Sequence, residues 1–84
     1  MIFDLIYSEK FLKQIKKLPL DIQKRIVLAL ERCRIRPYTH FVRLVSNPYY
    51  KLRVGDYRVI ANIVQNKLVI YILEIGHRKN IYKK

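Results

Sequence analysis

The residues best equipped for chemistry lie in two stretches, Tyr50 to Ile60 (YKLRVGDYRVI) and, after a hydrophobic run, Ile75 to Tyr82 (IGHRKNIY). A segment patterned like a strand that gathers His77, Arg78, Lys79 and Tyr82 at its exit has stopped building a core. Guanidinium groups pair with phosphate oxygens through parallel N–H donors, and an ammonium adds a point charge. The chemistry suggested is the handling of a phosphate.

Gly55-Asp56, with glycine at the first central position, predicts a two-residue type II′ turn. That sets Val54 opposite Tyr57, Arg53 opposite Arg58, Leu52 opposite Val59 and Lys51 opposite Ile60. Tyr50, Leu52, Val54, Tyr57, Val59, Ala61 and Ile63 then share an apolar face, while Tyr49, Lys51, Arg53, Arg58 and Asn62 share a polar one. Like charges directly opposed weaken a hairpin by roughly a few tenths of a kcal/mol. Two readings stand: an anion held between the arginines, or a solvated face on which they splay apart.

If the turn at residues 65–67 is tight, the exit of the last strand returns beside Arg58 and brings Arg78 toward Arg53 and Arg58. Tyr82 is either a functional phenol or a terminal ring packed on the sheet. His77 is either a functional imidazole or only a surface residue before the tail, and His40 reads as a surface residue of a polar loop.

The elements that must hold these groups follow from periodicity. Residues 2–7 read as a strand, and Ser8 caps a helix to about Leu18 with Phe11, Ile15 and Leu18 on one face. Pro19 ends it. A second helix starts near Leu20 or Asp21 and runs toward Pro37, its buried stripe being Ile22, Ile26, Leu30 and Cys33 with Val27 and Ala29 beside them. Strands are predicted over 42–46, 49–54, 57–65 and 68–75. Helices followed by strands in blocks predict one α+β domain over residues 1–84, with a helical hairpin on one face of a mostly antiparallel sheet.

Eighteen Lys and Arg against six Asp and Glu give a net charge of +12, which repels itself in a compact chain and calls for a polyanionic partner. Lys13, Lys16 and Lys17, with Lys10, Lys24 and Arg25, make the outer face of the hairpin basic and predict salt-dependent binding to nucleic acid. With one cysteine, Cys33, and two histidines, neither an internal disulfide nor a multi-cysteine zinc site is available, and no metal or cofactor is expected. The longest apolar run, Leu68 to Leu73, falls far short of the roughly 20 residues that span a bilayer. A cytoplasmic protein without a membrane partner is expected.

Along nearly its whole length the chain resembles the RelE/ParE toxin superfamily, through FLKQIKKLP (Phe11 to Pro19), YKLRVGDYRVI and IGHRKNIY. The resemblance implies a small α+β toxin silenced by a cognate, RelB-like antitoxin. In the RelE branch it implies an endoribonuclease that acts on messenger RNA in the ribosome without metal, the RNA 2′-hydroxyl attacking the adjacent phosphate. Carried over by motif, Arg58 is expected to hold the scissile phosphate, Arg78 to act near the phosphate or leaving oxygen, and Lys51 and Arg53 to complete the basic site. Lys79 and Tyr49 are expected to contact RNA or the ribosome, as are Lys13, Lys16 and Lys17. The branch's second lysine is replaced here by Tyr49, and its tyrosine base lies somewhat farther past the last-strand glycine than Tyr82 does. The base is therefore Tyr82 or, as second choice, His77.

The competing expectations are a ParE-like inhibitor that binds DNA gyrase without chemistry and a non-toxic basic RNA-binding protein. Lys51, Arg53, Arg58, Arg78 and Tyr82 together favour RNA cleavage over the first. Composition alone supports the last nearly as well.

Overall fold

The computed structural model describes residues 1–77. Its elements are β1 (Asp4–Tyr7), α1 (Glu9–Ile15), α2 (Leu20–Arg32), a helical turn α3 (Pro37–His40), β2 (Val42–Arg43), β3 (Tyr50–Val54), β4 (Tyr57–Val64) and β5 (Val69–His77). The sheet runs β1-β5-β4-β3-β2, with β1 parallel to β5 and the other neighbours antiparallel. This is the expected α+β arrangement, and both helices pack on one face of the sheet.

Local chemistry sets the helix boundaries. The Ser8 hydroxyl accepts from the Phe11 N–H at 3.0 Å, capping α1. The helix closes at Ile15, earlier than periodicity suggests, and a turn in which Leu18 N–H bonds to Ile15 C=O at 3.0 Å leads to Pro19. Pro19 has no N–H to leave unsatisfied and starts α2 directly. That helix ends at Arg32, short of Pro37, which instead opens the separate turn α3.

Phe11 and Ile15 of α1, Ile26 and Leu30 of α2 and Cys33 at its C-cap meet Leu52, Val54, Val59, Ala61, Ile63, Ile70, Ile72 and Ile75 of the sheet. Val27 departs from the expected stripe. It is 39% exposed, with Leu20 and Leu28 more exposed still, so α2 carries a second, outward apolar strip. No helix among the described residues is long and apolar enough to cross a membrane.

Two turns set the geometry of the basic strands. Between β3 and β4 the positive φ is confined to Gly55, at 58°, as a type II′ turn requires. Between β4 and β5 a 3-10 turn, Gln65–Lys67, closes on Leu68 in the left-handed region at φ 54° and ψ 48°. A non-glycine residue there costs on the order of 1 kcal/mol, offset by the packing of Leu68 against the core. The turn is tight, pairing Val64 with Val69 and bringing the end of β5 back to the start of β4.

Candidate functional site

The hairpin register is the one the turn chemistry dictates: Lys51 faces Ile60, Arg53 faces Arg58, and Val54 faces Tyr57. Directly paired residues point to the same side of a sheet, so Lys51, Arg53 and Arg58 share the face turned away from the helices. Across the other ladder Arg58 is paired with Gly76, which adds no side chain to that face.

The three cations differ in environment. Arg53 is exposed and leans along its own strand, its Nε donating a long 3.4 Å bond to the Gly55 carbonyl. Lys51 and Arg58 are partly buried, and the Arg58 Nε is shut off from solvent. A partly enclosed guanidinium has lost part of its hydration, so its field is screened less than that of a free surface charge. The acid at the end of β5, Glu74, is drawn to Lys10 of α1 at 2.9 Å.

His77 is placed differently from the arginines. It pairs with Tyr57, and their rings meet edge to face with centroids 5.6 Å apart. Tyr57 packs against the core on the helical side, so the register puts His77 on the opposite sheet face from Lys51, Arg53 and Arg58. Tyr49 is exposed just ahead of β3, its N–H donating to Asn47 Oδ1 at 2.9 Å and its carbonyl accepting from Leu44. Lys13, Lys16 and Lys17 are exposed in the helical layer, on the far side of the sheet from the arginine pair. Arg78, Lys79 and Tyr82 lie outside the described residues.

Sequence patterning missed the contacts between α1 and β5. The β4–β5 register slips between Ile60 and Ala61, which pair with Glu74 and Ile72, so Leu73 is an extra residue in β5. Its carbonyl accepts from the Ser8 hydroxyl at 2.6 Å, and the N–H of Ile75 donates to Gln14 Oε1 at 2.8 Å. A signal was present: buried isoleucines fall at 70, 72 and 75, a spacing of two and then three that an unbroken strand cannot keep on one face.

The arrangement is that of known toxins. A family model described as the ParE toxin of type II toxin-antitoxin system, parDE, matches residues 5–82. Toxin RelE3 of Methanocaldococcus jannaschii is 32% identical over 83 residues, covering 92% of each chain. A chain of the RelB-RelE antitoxin-toxin complex from Methanococcus jannaschii superposes with a TM-score of 0.73 and 28% identity, covering 92% of this chain and 94% of that one. A chain of the RelBE2 toxin-antitoxin complex from Mycobacterium tuberculosis gives a TM-score of 0.85 at 21% identity, covering 93% and 100%. The chain therefore belongs to the RelE/ParE superfamily and is a toxin of a type II toxin–antitoxin system.

Proposed function

We propose that this toxin is an endoribonuclease that cuts messenger RNA in the ribosome and so stops translation. The observation carrying the proposal is the register Lys51–Ile60, Arg53–Arg58 and Arg58–Gly76, which gathers cations on one sheet face beside the exit of β5. A phosphate bound there gains most as negative charge builds on its oxygens during attack. The RNA 2′-oxygen forms the new P–O bond, the bond to the 5′-oxygen of the next nucleotide breaks, and the products are a 2′,3′-cyclic phosphate and a 5′-hydroxyl. The 2′-proton goes to a base and the leaving oxygen receives a proton.

Arg58 is assigned to the scissile phosphate, with Lys51 and Arg53 beside it, while Arg78 is assigned near the leaving oxygen. Tyr82 is assigned as base. His77 becomes the weaker candidate, because its partner Tyr57 lies on the helical side of the sheet. Lys13, Lys16, Lys17, Lys79 and Tyr49 are assigned to RNA or ribosome contacts, whose affinity falls as salt rises. The protein is proposed to work in the cytoplasm.

Neutralisation is assigned to a RelB-like antitoxin. Its support is the strip of Leu20, Val27 and Leu28 on α2, bordered by Gln23 and Lys24 and set in a chain of net charge +12. An acidic amphipathic segment meets both features, apolar residues on the strip and carboxylates on its basic border.

A second reading, gyrase inhibition without RNA chemistry, is favoured by the ParE description of the matching family model and by Tyr49 in place of a second lysine. Brief induction followed by ribosome footprinting and mRNA-end mapping separates the two. Discrete new 5′-hydroxyl ends within translated codons support the nuclease. Intact messages together with loss of gyrase supercoiling support the second reading.

A further inference from the structure

We propose that Ser8 and Gln14 are positioning residues for the basic site, acting through the Leu73 bulge to decide which face of the sheet the end of β5 presents. Beyond Ile72, no strand among the described residues covers the outer side of β5, because the β1 ladder ends at the Tyr7–Ile72 pair. Helix α1 takes over that edge with side chains. The Ser8 N–H bonds to the Ile72 carbonyl at 2.9 Å and its hydroxyl donates to the Leu73 carbonyl at 2.6 Å. Gln14 Oε1 then accepts from the Ile75 N–H at 2.8 Å. Between these contacts Lys10 grips Glu74 at 2.9 Å.

A bulge is the one local change that turns all later side chains of a strand over. With Leu73 inserted, Ile72 and Ile75 both enter the core, Gly76 stands beside Arg58, and His77 meets Tyr57. Without it, strict alternation would turn Ile75 out of the core and bring His77 to the arginine face. The extra residue leaves backbone groups off the ladder, and Ser8 and Gln14 satisfy two that an absent strand would otherwise have to satisfy. The hydroxyl of Ser8 also caps α1, so helix start and bulge share one atom.

The link from this clamp to cleavage rests on the proposed function; the link to the register of β5 does not. The test compares three full-length variants with the parent toxin. Gln14→Met keeps the length of the side chain but removes the acceptor, and Gln14→Glu keeps an acceptor. Ser8→Asp keeps the cap on α1 but removes the donor to Leu73.

In Gln14→Met the Ile75 amide should exchange about tenfold faster or more, the Tyr57–His77 ring contact seen by NMR should weaken, and Gln14→Glu should restore both. Single-turnover mRNA cleavage on programmed ribosomes should fall on the order of 10²-fold with ribosome affinity unchanged, as for a reacting group displaced by about an ångström. Ser8→Asp should repeat the pattern with α1 amides still protected, which keeps the test alive should one variant fail to fold.

Parent-like protection of Ile75 and an intact ring contact in both disrupting variants would overturn the proposal. So would parent-like cleavage in a variant whose β5 register has changed. A parent toxin that cuts no RNA would sink the proposed function, while the exchange and ring-contact readouts would still decide the clamp.

Discussion

Arg58 stands directly across the β4–β5 ladder from Gly76, so the guanidinium that shares its other ladder with Arg53 has a neighbour with no side chain. The absence of a side chain across from Arg58 is thus written into the sequence by one glycine. Gly76→Val places a β-branched side chain next to Arg58 on the basic face. Strand preference should leave the melting temperature unchanged or slightly raised, because valine suits a strand better than glycine. Cleavage should drop by about tenfold or more as the phosphate loses its place beside the guanidinium. Paired melting and single-turnover measurements check this, and parent-like cleavage would show that no phosphate is held against Gly76.

Arg58→Ala should separate chemistry from binding. A lost donor to the charge of the transition state typically costs about 3–4 kcal/mol, on the order of 10²–10³ in rate, with ribosome affinity nearly unaltered. Reversing Lys13, Lys16 and Lys17 together should do the opposite, weakening association and flattening its dependence on salt. Rapid-quench kinetics at two salt concentrations distinguish the two patterns.

Much of this site was legible because two-residue turns leave little freedom. Gly55-Asp56 fixed the Arg53–Arg58 pair, and the alternation in β3 and β4 separated the basic face from the core. Ser8 was likewise readable as a cap. The isoleucine spacing hinted at the Leu73 bulge, but the contacts that hold it were not readable, since Ser8 and Gln14 lie 65 and 61 residues away from their acceptor and donor in β5. Such contacts depend on tertiary placement that local propensity does not encode. Val27 was misassigned because a helix with apolar residues on two sides has no unique buried stripe, and packing on β3 selected Ile26 and Leu30. Basic composition concealed a division of labour as well. Arg34 is structural, its Nε donating to the Phe3 carbonyl at 2.8 Å and its Nη1 meeting Glu31 at 3.1 Å.

The outward strip on α2 gives a prediction about neutralisation. Leu28, 59% exposed, contributes little to the fold, so Leu28→Glu should leave the melting temperature within a few degrees of the parent value. It should weaken antitoxin binding by about tenfold or more, because a carboxylate replaces an apolar contact and repels an acidic segment. Calorimetric titration of the variant with the antitoxin measures this, and an unchanged affinity would place the antitoxin on another surface.

Stability at high pH should depend on Cys33. Burial pushes its thiol up to about 11 from an ordinary value of 9.0, while Tyr7 is raised from 10.0 by burial, with Glu31 adding to the rise and Arg34 opposing it. Both groups are neutral in the folded chain and ionise more easily when unfolded. Their contribution is therefore full below about pH 9 and is lost as pH climbs through about 11. Denaturant melts from pH 8 to 11 should show this loss, with a shallower decline in Cys33→Ala.

Single-turnover cleavage of an mRNA on programmed ribosomes decides whether the basic face of β3 and β4 cuts RNA by internal attack. The expected result is a 2′,3′-cyclic phosphate and a 5′-hydroxyl at the cut, and no cut when the nucleotide on its 5′ side is 2′-deoxy. Cleavage of the deoxy message at the parent rate would contradict it.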